Sequence, residues 1–131
     1  MTVIKDDNRG MKTMIIAVTY DNGNVHQHFG QAKCVKFYEA EDGEIKSSEI
    51  VQMPAAGHGF IASVLFKHFT DTLICGHIRS NAAGGLSVSG IELIAGASGD
   101  ADEAVKSYLL GSLKHDPEGL DDTEVCAHDP E

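Results

Sequence analysis

Hydrophobic residues along this chain gather in short, dense runs separated by turn-forming residues. TMIIAVTY (13–20) is continuously apolar and β-branched, and DNGN closes it, which reads as a buried strand followed by a turn. CVKFYEA and EIKSSEIV flank EDG, where Asp42-Gly43 offers the positive φ values of a tight hairpin turn. Beyond Pro54 the period lengthens. In FIASVLFKHF, Ile61, Val64, Leu65 and His68 fall on one helical face, predicting a first helix from near Gly59. DTLICG (71–76) is again a short apolar strand, and RSNAAGGLSVSG fits a short helix ending at Gly90. IELIAG follows as a strand. The last regular segment, GDADEAVKSYLLGSL, is a helix with Asp100 as N-cap, Glu103 three residues on, and Ala104, Val105, Tyr108 and Leu109 on its inner face.

The resulting order is strand, hairpin, helix, strand, helix, strand, helix. Alternating strands and helices imply right-handed crossovers and parallel pairing, while the hairpin forces an antiparallel neighbour. The expectation is therefore a single three-layer α/β domain with a mixed, mostly parallel five-stranded sheet, spanning residues 13 to 113. The polar first dozen residues read as a flexible leader. Residues 114–131 are acidic and carry only Leu120 and Val125 as sizeable aliphatics, which predicts a disordered tail.

Composition changes the picture in three ways. The formal charge of −10 is uneven: from His115 onward there are seven acids and no Lys or Arg, leaving 13 acids against 10 bases in the body. A near-neutral body with no basic stripe argues against nucleic acid, whose binding needs clustered cations. Three irregularly spaced cysteines make no disulfide framework and suggest a reducing, cytoplasmic setting. No apolar run approaches the ~20 residues that span a bilayer, so no membrane association is expected.

Candidate chemistry concentrates in three loops. In open α/β sheets ligands bind outside the carboxyl ends of the strands, where helix N-termini direct free N–H groups outward. His26 and His28 follow the first strand, Gly57-His58-Gly59 precedes the first helix, and Gly76-His77 follows the strand after it. His28, His58 and His77 are thus expected to converge on one edge. The glycines beside them would let backbone N–H groups approach an anion or metal closely, with Arg79, Ser80 and Asn81 as further donors. Neutral imidazole and thiolate are usual ligands for iron, copper and zinc, so a metal-sulfur cluster would satisfy both demands, with Cys34 a further soft ligand. His26, in a polar turn, reads as exposed, His68 as a packing or helix-end residue, and Cys75 as core. Cys126 and His128 form a C-x-H pair without a second pair, a weak metal signal.

The same residues carry a family pattern. HFG at 28–30, the hairpin with EDGEIKSSEIV, PAAGHG before the first helix, ICGHIRSNAAGGLSVSGIELIAGASG and the closing ADEAVKSYLLGSL occur in consistent order. From Met14 to Leu113 the chain resembles the dinitrogenase iron-molybdenum cofactor biosynthesis family, small proteins related to nitrogenase accessory factors. The resemblance implies a ribonuclease H-like fold and a non-catalytic binder of iron-molybdenum cofactor, its precursors or a related metal-sulfur cluster. Of the HFG pattern it carries over His28, Phe29 and Gly30. At GHIRSN this chain departs from a frequent family form with glycine at the second position and at Arg79, making the loop more polar and crowded. A cofactor-donor or acceptor protein is the implied partner, and the oligomeric state stays open.

Two other classes compete. A ribonuclease H-like hydrolase would need several carboxylates around a divalent metal, yet only Asp21 sits suitably, while Glu49, Asp71 and Glu92 lie at mismatched strand ends. An anion- or nucleotide-binding regulatory module would use the glycine loops and Arg79 without metal.

Overall fold

The computed structural model describes residues 13–29, 32–53, 58–116 and 120–121. Its elements are β1 (Thr13–Asp21), β2 (Asn24–Val25), β3 (Cys34–Glu41), β4 (Glu44–Gln52), α1 (His58–Lys67), β5 (Thr72–Ile74), β6 (Ile78–Arg79), α2 (Ser80–Val88), β7 (Glu92–Ile94), α3 (Ala101–Leu109) and β8 (Leu120–Asp121). The main sheet runs β4-β3-β1-β5-β7, with β2 paired to β1.

β1 is the central strand, and its composition explains why. Ile16, Ala17 and Val18 are all 0% exposed, which requires cover on both faces. Ala17 joins Leu65, Leu86 and Ile91 in the core beneath α1 and α2, whereas Ile16 and Val18 meet Ala104 and Val105 of α3. The sheet therefore separates two apolar layers, and the three-layer arrangement follows.

Two expectations need correction. The sheet has six strands instead of five, because the chain folds back at Asn22-Gly23 and β2 pairs antiparallel with the end of β1. A two-residue strand is too short to leave a period in the sequence. Nor is the sheet mostly parallel: β1–β2, β1–β3 and β3–β4 are antiparallel, and only β1–β5 and β5–β7 are parallel. The hairpin lies against the central strand, not at a distant edge, so the longest ladders are its own. At its tip Asp42 and Gly43 have φ of 55° and 79°, the left-handed pair that a two-residue hairpin turn demands.

α3 starts where Asp100 accepts a hydrogen bond from the Glu103 N–H at 3.0 Å. The helix is also tied to the sheet by Asp102, whose Oδ1 accepts from the Tyr38 hydroxyl at 2.5 Å and from Lys36 Nζ at 2.9 Å. These two donors, Tyr38 first, hold the Asp102 carboxyl below the ordinary carboxylate range, while burial and the same hydrogen bond push the Tyr38 hydroxyl up. A carboxylate with a depressed native pKa stabilises the fold above its unfolded value, about 3.9, and loses that contribution as pH falls through the native value. Asp102 is half exposed, so solvent screening keeps the effect small. Tyr38→Phe is expected to cost about 1 kcal/mol at pH 7. The difference from the parent should vanish in acid, where Asp102 is protonated; urea melts at several pH values measure this.

Beyond α3 the chain turns back over the sheet. The Asp116 N–H donates to Ala95 O at 2.9 Å, and the Ala95 N–H donates to His115 Nδ1 at 3.1 Å. Leu120 packs on the α1/α2 core, and β8 pairs in parallel with β6. Of residues 114–131, expected as an acidic disordered tail, the described His115, Asp116 and Leu120 thus contact the domain, Leu120 on an apolar surface that composition alone does not reveal. Among the described residues, no helix is long and apolar enough to cross a membrane.

Candidate functional site

β1 and β5 run in parallel, so the chains leaving their carboxyl ends emerge side by side. They stay paired beyond the strands. The His77 N–H donates to Gln27 O at 2.7 Å, the Phe29 N–H to His77 O at 2.9 Å, and the Gly76 N–H to His26 O at 3.3 Å. The outcome is a parallel bridge between His28 and His77, with their ring centroids 6.0 Å apart. Both imidazoles are exposed.

Three neighbours set this geometry. Gly76 lies so close to the facing segment that a Cβ would stand 2.7 Å from Gln27 Cα, and only glycine admits that approach. Gln27 spans the loops, its Nε2 donating to Val25 O at 3.2 Å and to Ala97 O at 3.1 Å. Phe29 is 1% exposed and inserts into the α1/α2 core, pinning the residue before it. Phe29 also borders a groove of about 460 Å³ between α1 and α2, lined by Ala62, Phe66, Ala82, Leu86 and Ile91 among others.

His26 departs from expectation. It is half-buried, not free in solvent. Its Nδ1 accepts the His28 N–H at 3.0 Å, and its ring meets that of His28 edge-on at 6.4 Å between centroids. The sequence spacing H-x-H held the signal, since a side chain can cap the N–H two residues on, but a polar turn obscured it.

The remaining candidates are placed as follows. His58 and Gly59 open α1 itself, where a loop preceding the helix was expected; Arg79 ends β6 and Asn81 lies in the first turn of α2. The side chains of His58, Arg79 and Asn81 fall outside the described atoms, and Gly30 and Gly57 lie outside the described residues. Neither α1 nor α2 has an acid in its first turn, so their N-terminal dipoles carry no local negative charge. Cys34 is half-buried and pairs with Tyr20 at the carboxyl end of β1, the same end from which His26 and His28 emerge. Cys75 is fully buried, and burial pushes its thiol up to about 12, so it is no ready thiolate. His68 stacks on Phe37 at 4.2 Å, a packing role.

Among the described residues, no three His, Cys, Asp or Glu side chains are gathered as a metal-ligand set. The two imidazoles face outward as a pair, not as part of a chelating cage. The acids a nuclease would need are also scattered: Asp21 ends β1, whereas Asp71 and Glu92 stand at the opposite ends of β5 and β7. Asp71 there accepts the Ile15 N–H at 2.8 Å, and Glu92 accepts from the Tyr108 hydroxyl at 2.7 Å.

This arrangement has relatives. An uncharacterised protein of Methanocaldococcus jannaschii is 30% identical over 109 residues, covering 79% of this chain and 92% of the relative. The crystal structure of PH0822 superposes with a TM-score of 0.74 at 25% identity, over 81% of this chain and 97% of that one. The apo form of the orange protein from Desulfovibrio gigas shares the fold, with a TM-score of 0.68 at 24% identity over 79% and 92% of the two chains. The profile of the family described as dinitrogenase iron-molybdenum cofactor matches residues 11–111, a span that contains every element from β1 to α3 together with the paired histidine loops. The chain belongs to the dinitrogenase iron-molybdenum cofactor family.

Proposed function

We propose that this protein is a non-catalytic carrier or storage protein for iron-molybdenum cofactor or a related metal-sulfur cluster, held as cargo at the paired loops. The observation that carries the reading is the His28–His77 bridge, which presents two exposed imidazoles from one rigid edge. A bare first-row ion needs three or four protein donors. A cluster brings its own sulfides and needs only anchors. Spacing favours the cluster too: with metal–nitrogen bonds of 2.0–2.1 Å, two rings on one tetrahedral ion have centres about 5 Å apart. At 6.0 Å the pair is better suited to two atoms of one cluster.

In this reading His28 and His77 are the metal ligands, with His58 at the start of α1 and Cys34 at the start of β3 as flanking donors. The acid-free N-termini of α1 and α2 favour an anion beside them. Gly76 keeps the two loops close together, and the binding set further takes in Phe29, Gly30, Gly57, Gly59, Arg79 and Asn81. The fold is the ribonuclease H-like one that the family resemblance implies. The setting is the cytoplasm, and a donor or acceptor protein exchanges the cargo.

His28→Ala tests the reading. The variant, purified anaerobically beside the parent, is expected to retain far less iron or molybdenum per folded chain. Its apo melting temperature should be nearly unchanged, because His28 is exposed and its loop is held by backbone bonds. Coordination needs neutral imidazole, so metal retention should fall off in acid. Equal metal in variant and parent would refute the site. A colourless parent whose melting temperature rises with nucleotide would favour the anion-binding regulatory module instead.

A further inference from the structure

We infer that His26 is a hydrogen-bond donor to the anionic sulfides of the cargo, not a third metal ligand. The inference rests on the cluster reading above and adds a role for a side chain that reading leaves unused. Its basis is the bond between the His28 N–H and His26 Nδ1, 3.0 Å long. A backbone N–H can only donate, so Nδ1 must be the unprotonated, accepting nitrogen of the ring. In a neutral imidazole the proton then resides on Nε2. That nitrogen has no lone pair to give a metal, yet it is a donor of the kind that binds a sulfide or other anion.

The local structure enforces this state. The His26 N–H donates to Thr19 O at 2.7 Å, and its carbonyl accepts from Thr19 Oγ1 at 3.0 Å and from the Gly76 N–H at 3.3 Å. With backbone and Nδ1 both engaged and the side chain half-buried, the ring has little freedom to turn Nδ1 outward. Protonating Nδ1 would break the bond to the His28 N–H, and flipping the ring would leave that N–H without its acceptor. The ring is also the immediate neighbour of His28, 6.4 Å away between centroids, while the His77 ring stands 6.0 Å from that of His28. In this arrangement a metal atom on His28 would have a fixed N–H donor on the neighbouring ring to meet its outer sulfides. Two ligands and one donor give the pair a preference for sulfide-bearing anions over bare cations.

The probe is tetrathiomolybdate, a soluble molybdenum–sulfide anion, titrated anaerobically into the full-length chain. His26→Asn places a carboxamide oxygen where Nδ1 was, so the cap on the His28 N–H survives while the outer N–H is lost. His26→Gln keeps an N–H near the reach of Nε2 but removes the cap. The expected result is binding by the Asn variant about tenfold weaker at unchanged stoichiometry and melting temperature, with the Gln variant recovering most of that affinity. Long-range nitrogen–proton NMR of the apo protein should show His26 as the Nε2–H tautomer. Parent-like binding by the Asn variant, loss of bound molybdenum per chain, or an Nδ1–H tautomer would each overturn the donor role while leaving the cluster reading standing. A parent chain that takes up no tetrathiomolybdate would sink that reading and the donor role with it.

Discussion

Gly76→Ala is expected to lower stability by about 1–3 kcal/mol and to empty the site, although residue 76 carries no ligand. A Cβ there would lie 2.7 Å from Gln27 Cα and 2.8 Å from its Cδ and Oε1. The amide end of Gln27 could swing aside, but the Cα belongs to the backbone, so the whole 26–29 segment must retreat. Retreat stretches the three hydrogen bonds that hold His28 against His77, and the 6.0 Å ring spacing opens with them. Metal retained per folded chain should therefore fall well beyond what the lower melting temperature explains. Gly84→Ala supplies the contrast. It sits in α2 with nothing within 4 Å of its would-be Cβ, so alanine should stabilise the helix by about 0.5–1 kcal/mol and leave metal content alone. If both substitutions behave alike, the close approach at Gly76 does not position the histidines.

The same contrast shows where the sequence was informative. Long elements with a clear period stood out: the run at β1, the alternating hairpin, and α3 with Asp100 capping Glu103 are where periodicity and turn chemistry place them. What escaped were features with no period of their own. β2 is two residues long and exists because the longer β1 offers it free backbone groups, while β6 and β8, likewise two residues each, form by pairing with each other across the chain. The direction of most sheet pairing was misjudged because sequence order does not say which side of β1 the hairpin takes. At the site, the placement of His28 and His77 at one edge follows from strand order alone. Their registration, the cap from His26 and the bracing by Gln27 depend on which residue faces which across two loops nearly fifty positions apart, and no local pattern encodes that.

Removing residues 115–131 is expected to leave a folded, cooperative domain that is less stable by about 2 kcal/mol, with a melting temperature lower by roughly 6–10 °C. The domain survives because both core layers are built from elements ending at α3, with Leu120, among the described residues, the one member from beyond residue 114. The loss comes from specific groups. Ala95 is 0% exposed, and its N–H and C=O are satisfied by His115 Nδ1 and the Asp116 N–H respectively. Without them Ala95 must find water at a crowded strand end. Leu120 takes its apolar surface out of the core at the same time, and β6 loses β8, the strand it pairs with. β6 directly follows His77, so the loosening should reach the site as weaker metal retention, while the chain lacking only residues 122–131, a stretch whose sequence offers only Val125 as a sizeable aliphatic, should match the parent in both properties. Thermal melts of the two truncations decide the matter: equal melting temperatures would mean that the returning segment rests on the domain without stabilising it.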